Sequence, residues 1–269
     1  MKTMIFCEGT TDLLMIQYVL QYKYGWHYNG FLENSETNRL RKKTLKRDTD
    51  IVDIESCGGI TNIPKRMQEL QEQIQNTTRE EELVNKVIIL IDHDTVSSNR
   101  EFLDNINEKI GTHFLEEDIN VLRKWTVDND FLESTELDIY IKCLPESEVG
   151  AIESIMLQAL DTDSIESKII QDSRQFIETE AENQDRYLQK KSLVSKAIVN
   201  TYFAIRMPEE KYDERARILK AYNWEENEVL NDSFAFLNIW RSSSCMLKVL
   251  FWSNKKSPTY RKISGRLFA

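Results

Sequence analysis

Disulfide frameworks, zinc modules and flexible linkers each leave marks that this 269-residue sequence lacks. Its four cysteines, Cys7, Cys57, Cys143 and Cys245, lie far apart and form no CxxC pair. That argues against a zinc site or a disulfide framework and fits a reducing compartment. With 8 Gly and 4 Pro, no low-complexity linker divides the chain, and no internal repeat is visible. No apolar run reaches the roughly 18 residues of a membrane helix. Glu8 also cuts the opening stretch MKTMIFCEGT too short for a signal peptide. The expectation is a cytoplasmic protein without membrane contact. A GxxxxGK[ST] phosphate loop is missing as well, so any need for ATP would be met by a partner.

A hydrophobic fraction of 41% can build a sizeable core, and 30% charged residues give a well-solvated surface. The net charge of −10 argues against a chain that coats nucleic acid non-specifically. The average hides an uneven distribution. Residues 241–269 hold seven Lys or Arg and no acid, which leaves −17 on the first 240 residues. A second basic run, RLRKKTLKR, spans Arg39 to Arg47. Both runs can touch phosphates; both read equally well as a solvated loop and a solvated tail. Tail residues Phe251, Trp252 and Tyr260 interleave with Lys255, Lys256, Arg261 and Lys262, a pattern able to grip single strands.

The hydrophobic pattern alternates between strand and helix. MIFCEG is a short apolar run ending in an acid and a glycine, and TDLLMIQYVLQYKYG follows with Leu13, Ile16, Val19 and Leu20 at helical spacing. Thr11 or Asp12 can cap that helix. After the basic loop come strand DIVDIESC, a turn at Gly58–Gly59 and helix NIPKRMQELQEQIQ. KVIILIDHD is the clearest strand, with five consecutive aliphatic residues from Val87 to Ile91. Apolar character on both faces implies a central parallel strand covered by helices on both sides. Helix REFLDNINEKI, strands VLRKWTV and DIYIKCL, and helix GAIESIMLQAL continue the series. The expectation is an α/β fold with a mostly parallel sheet flanked by helices and a helical C-terminal extension. The divisions expected are a core at 1–160, a helical segment completing it at 161–240, and a basic tail at 241–269.

In open α/β sheets, ligands gather beyond the carboxyl ends of the strands. Two strands end there in acids, the first at Glu8 and the third at Asp92 and Asp94. Asp12, four residues after Glu8, lies one helical turn on and can point back to the same edge. Like charges gathered this way repel unless a cation joins them. Hard carboxylate oxygens suit Mg²⁺, which keeps waters or phosphates in its remaining positions. His93 faces away between the aspartates and reads as a packing residue. Each acid also has an ordinary reading: Glu8 as a helix-dipole partner, Asp94 and Asp12 as helix caps.

The segments IFCEGTTD, ESCGG and VIILIDHD together resemble the Toprim domain of topoisomerases, DnaG-type primases and OLD-family nucleases. That resemblance implies a Rossmann-like Toprim fold in which Glu8, Asp92 and Asp94 bind metal. KCLPESEVGAIESIMLQAL is similar to the segment of small stand-alone Toprim-like proteins and OLD-type nucleases that carries a further site glutamate, which Glu153 matches. SKAIVNTYFA resembles the following lysine segment, making Lys196 the counterpart of a lysine that assists cleavage. WEENEVLNDSFAFLNIW extends the likeness to about residue 240. DHDTVSS lacks the further acid or DRDG-like continuation of topoisomerases and primases, so strand passage and primer synthesis are not expected.

The resemblance implies a Mg²⁺- or Mn²⁺-dependent nuclease or nickase. Glu8, Asp12, Asp92, Asp94 and Glu153 would hold one or two ions, and Glu8 and Lys196 would act in catalysis. DNA is the expected substrate and phage defence with an ATPase partner the implied setting; a homodimer is compatible with the sequence. The alternatives are an RNA-processing Toprim nuclease and a non-cleaving metal-binding module that docks nucleic acid or a partner. Glu153 and Lys196 also read as ordinary exposed helical residues.

Overall fold

Lys86–Asp92 is buried along its whole length. A strand with no solvent-facing side must be covered on both faces, so it belongs in the middle of a parallel sheet. In the computed structural model, residues 1–28, 41–93, 96–146, 149–161, 163–184, 186–208, 224 and 226–238 are described, with backbone alone at 96–98. The sheet has seven strands: β1 (Lys2–Cys7), β2 (His27–Tyr28), β3 (Lys42–Arg47), β4 (Asp50–Ser56), β5 (Lys86–Asp92), β6 (Leu122–Val127) and β7 (Thr135–Leu144). Their order is β2-β3-β4-β1-β5-β7-β6. The central four, β4, β1, β5 and β7, run parallel, and β2, β3 and β6 complete the two sides antiparallel. The architecture is α/β and mostly parallel, as the apolar runs require.

The helices are α1 (Thr10–Tyr18), α2 (Ile63–Gln75), α3 (Val96–Ile110), α4 (Ile152–Leu160), α5 (Ser164–Asn183) and α6 (Lys191–Arg206), with a short helix at Glu228–Ser233. A π-helical turn, Val19–Lys23, continues α1. On one face of the sheet, Ile63, Met67, Leu70 and Ile74 of α2 and Phe102, Leu103, Ile106 and Ile110 of α3 pack on Met4, Phe6, Val87, Ile89 and Ile91. Strand alternation turns Ile5, Cys7, Ile88, Leu90 and Asp92 to the opposite face, where α1 lies against β1, β3 and β4 and touches α4, which in turn meets α5 and α6. Trp125 and Trp224 are buried.

The stretch Lys42–Arg47 is a strand, where the sequence reads as a basic loop. It pairs antiparallel with β4 over its full length. Three of its four cations have partners and the fourth, Lys46, faces solvent, which is why a lysine-rich strand is tolerated here. Lys42 pairs with Asp53 at 3.5 Å. Lys43 donates to the Tyr28 hydroxyl at 3.2 Å and lies over that ring. Arg47 stacks over Trp26 at 4.8 Å. Half of the expected basic patch is thus spent inside the fold.

The chain divides into a main unit, Met1–Phe234, and a second, Ala235–Ala269, of which the described part is one 3-10 turn, Ala235–Asn238. The basic tail and Arg39 lie outside the described residues. Among the described residues no helix is long and apolar enough to cross a membrane.

Candidate active site at the carboxyl rim of the sheet

The parallel strands β1 and β5 are neighbours, with Phe6 opposite Ile89. Their carboxyl ends therefore emerge side by side, and the acids that follow them meet. The Glu8 carboxylate accepts a hydrogen bond from the backbone N–H of Asp92 at 2.9 Å. That single bond ties the end of β1 to the end of β5. Glu8 is held from behind by the turn after β4, where the Gly59 N–H donates to the Glu8 carbonyl at 2.8 Å. Gly59 adopts φ 123°, in the region that favours glycine, so the Gly58–Gly59 turn is bound to this residue type.

Asp92, 6% exposed, stands at the last position of β5, opposite Leu144 of β7. One of its oxygens accepts from the Lys196 ammonium at 2.6 Å. The other receives the N–H of Ile152, at the first turn of α4, at 3.4 Å. Asp12, 5% exposed, sits in the first turn of α1 and accepts from the Gly9 N–H at 2.8 Å. It is both a helix cap and a member of the cluster, because it feels the charges of Asp92, Glu153 and Glu8. Burial first, and then those carboxylates, hold its pKa well above the ordinary range.

Glu153, 6% exposed, follows Ile152 on α4. Its Oε2 accepts no hydrogen bond. Burial, followed by the charges of Asp92 and Glu8 and opposed by Lys196, pushes its pKa up to about 7. Lys196 completes the set from α6. Burial would lower its pKa, but Asp92, by charge and hydrogen bond, and then Glu153 and Glu8 outweigh that and hold it above the ordinary lysine value. The cluster thus contains four carboxyl groups and one ammonium, and Lys196 is its counter-charge.

Glu8, Asp12, Asp92, Glu153 and Lys196 are therefore brought together from the turn after β1 and from α1, β5, α4 and α6, spread over 189 positions of sequence. Asp94 lies outside the described residues. His93 turns to the other side of β5, where its Nδ1 bonds the Pro145 carbonyl at 2.8 Å and its backbone bridges to Gly150. The donors are hard carboxylate oxygens, and one of them, Glu153 Oε2, is buried without a partner; that chemistry fits a divalent cation. In the arrangement described, with Lys196 on Asp92 and both Glu8 and Asp12 engaged by backbone N–H groups, no three His, Cys, Asp or Glu side chains among the described residues stand close enough to share one ion.

A pair of serines supports the site and is not evident in the sequence. Ser154 and Ser195, each adjacent in the chain to a site residue, share a hydrogen bond of 2.9 Å that joins α4 to α6. The repeated juxtaposition, Glu153–Ser154 and Ser195–Lys196, is the only trace it leaves. Gly150 allows the approach, since a Cβ there would stand 2.8 Å from the Ser154 hydroxyl.

This geometry carries no name by itself. The chain belongs to the family described as "Protein of unknown function (DUF3226)". The family's sequence pattern covers residues 2–239. A search of curated proteins finds no match. The crystal structure of a hypothetical protein from Pyrococcus horikoshii OT3 is similar, with a TM-score of 0.52 over 88% of this chain and 95% of that one, at 14% identity. At that identity the likeness bears on the fold alone, and it agrees with the α/β arrangement.

Proposed function

We propose that this DUF3226 chain is a divalent-metal-dependent phosphodiesterase that hydrolyses nucleic acid, with DNA the first substrate to test. The observation that carries the reading is Glu153: a carboxyl group 6% exposed, with an unpartnered oxygen, beside two further buried carboxylates. Burying like charges together costs several kcal/mol unless a cation compensates them. Such a constellation at the carboxyl rim of parallel strands is where α/β proteins place ligand chemistry. The Toprim resemblance of IFCEGTTD, ESCGG and VIILIDHD supports the same reading.

Glu8, Asp92 and Glu153 would hold the ion, with Asp12 and Asp94 beside them. When bound, Mg²⁺ or Mn²⁺ supplies a Lewis acid that polarises a phosphoryl oxygen and lowers the pKa of bound water. The chain's own contribution is electrostatic and positional. Lys196 brings a fixed positive charge to the acidic rim, where it can offset negative charge developing on a scissile phosphate. Glu153, whose pKa is near 7 without the ion, would give up its proton as the ion binds. The Glu8–Asp92 hydrogen bond keeps the two strand ends in register as the charges change.

The Lys196–Asp92 ion pair favours a second reading, in which the lysine is a permanent counter-ion and the rim docks nucleic acid or a partner without cutting it. Involvement in phage defence beside an ATPase partner remains an extension of the Toprim resemblance. One experiment separates these readings. Supercoiled plasmid and structured RNA are incubated with the purified chain and Mg²⁺ or Mn²⁺, then with EDTA, alongside Asp92→Ala. Nicking that EDTA stops and Asp92→Ala reduces at least about 100-fold supports DNA cleavage. Cleavage of RNA alone selects the RNA enzyme. The absence of both cleavage and calorimetric metal binding removes the enzyme reading.

A further inference from the structure

On the side of β5 opposite Asp92, a cavity of about 230 Å³ opens at the same rim. Its walls include His93, Asn99, Glu116, Ile119, Asn120 and Glu146. Asn99 is 9% exposed, and its Oδ1 accepts no hydrogen bond. A buried amide oxygen without a donor costs about 1–3 kcal/mol, so its presence in a cavity wall points to a ligand that supplies one. His93 Nδ1 faces the Pro145 carbonyl at 2.8 Å, and a carbonyl only accepts, so Nδ1 carries the proton. In the neutral ring this leaves Nε2 as a second acceptor. Glu116 adds a carboxylate, and Glu146 adds another that is ion-paired with the buried Lys142 ammonium. Asn99 carries its own amide NH₂, and Asn120 adds a second donor: its Oδ1 takes the Cys143 N–H at 3.0 Å, which turns its NH₂ the other way.

This wall combines several acceptors with the amide NH₂ donors of Asn99 and Asn120. The exposed Glu116 carboxylate disfavours a phosphate. Among the described residues no three His, Cys, Asp or Glu groups are placed to hold a metal ion. The volume falls below the roughly 300–1,000 Å³ of sites for drug-sized ligands and suits a single ring system. A ligand that presents an amine beside a ring nitrogen acceptor would satisfy both kinds of group. On the Watson–Crick edge, adenine and cytosine place an amine beside a ring-nitrogen acceptor, whereas guanine, thymine and uracil present a ring N–H beside a carbonyl oxygen. The cavity is also coupled to the acidic cluster. Cys143, which lines it, donates its thiol to the Asp92 carbonyl at 3.7 Å, and His93 is the next residue after Asp92.

We propose that the cavity between β5, β7 and the start of α3 receives one unstacked amino-bearing base, adenine or cytosine, of the strand bound at the acidic rim. The proposal rests on the nucleic-acid reading above and gives that site a base preference. Taking a base out of the stack and reading its hydrogen-bonding edge is an established way to select a position.

The test is a titration of the isotope-labelled full chain with adenosine, cytidine, uridine and thymidine, without metal, followed by nuclear magnetic resonance. Adenosine and cytidine are expected to bind at least tenfold more tightly than uridine and thymidine, shifting the side-chain amides of Asn99 and Asn120. Asn99→Leu removes the preference. Glu116→Lys, at an exposed position that spares the fold, weakens it. Equal shifts with all four nucleosides, no shifts, or a preference that survives both variants would overturn the proposal. Selective nucleoside binding with plasmid left uncut keeps the pocket and removes the nuclease. Metal-dependent cutting without nucleoside selectivity does the reverse.

Discussion

The two faces of β5 solve different problems. Toward α2 and α3, Val87, Ile89 and Ile91 pack in a large cluster of apolar side chains. Toward α4 and α6 the same strand ends in Asp92, held by an ammonium and a backbone amide and surrounded by three more carboxyl groups. The first face lowers the free energy of the fold. The second raises it, because carboxylates packed beside one another resist ionisation. A molecule that keeps the second arrangement next to the first has its main apolar packing on one side of the strand and its acidic cluster on the other.

The sharpest way to break that contrast is to damage the stable side. Ile89 is fully buried in the α2/α3 cluster. Ile89→Ala is expected to lower the unfolding free energy by about 3 kcal/mol, the middle of the usual range for such cavities. Urea denaturation should show a lower midpoint at an unchanged slope. A loss below about 1 kcal/mol would mean that the apolar face does not dominate stability.

On the rim the largest effect should come from a cation. A divalent ion that binds the folded chain at 100 times its Kd stabilises it by about 2.7 kcal/mol. Thermal unfolding with Mg²⁺ and Mn²⁺ should show an upward shift that EDTA reverses and Asp92→Asn abolishes. An equal shift in Asp92→Asn would place the ion elsewhere.

The contrast was half legible in the amino-acid sequence. VIILI announces a central strand because five aliphatic residues cannot all face a single core layer, and the acids at Glu8 and Asp92 announce a shared rim because parallel neighbours end together. What the pattern concealed has physical causes. β3 reads as a loop because Lys42, Lys43, Lys46 and Arg47 are poor strand formers, until Asp53, Tyr28 and Trp26 are brought beside them by folding. The antiparallel edges cannot be read from periodicity, which is the same for both pairings. Lys196 was visible only through the Toprim likeness, since helix α6 carries Lys190 and Lys191 close by. The orphaned oxygen of Glu153 and the amide of Asn99 leave no mark in one dimension, because burial of a polar atom is settled by what packs over it.

The pH dependence sharpens the comparison further. Glu153 has a pKa of about 7 in the folded chain against an ordinary value of 4.5. The folded state therefore binds a proton that the unfolded state has already released, and stability falls as pH rises from about 4.5 through about 7. Asp12, shifted in the same direction, adds to that slope. Glu153→Gln removes the ionisable group, and is expected to stabilise the chain by about 2 kcal/mol at pH 8 while having little effect at pH 5. Denaturation at both pH values checks this. A variant less stable than the parent at pH 8 would show Glu153 to be a supporting residue of the core.

The smallest expected effect concerns how the rim is joined to its helices. Gly150 precedes α4, and a Cβ at this position would stand 2.8 Å from the Ser154 hydroxyl. That hydroxyl also bonds Ser195, so Gly150→Ala would force Ser154 to another rotamer and cut the link between α4 and α6. The backbone at Gly150 is outside the left-handed region, so the cost is that of crowding and one lost hydrogen bond, about 1 kcal/mol. The double variant Gly150→Ala with Ser195→Ala should cost less than the sum of the two single changes, because both act on the same bond. Additive losses would show that the serine pair does not couple the helices, and that Glu153 and Lys196 are positioned independently.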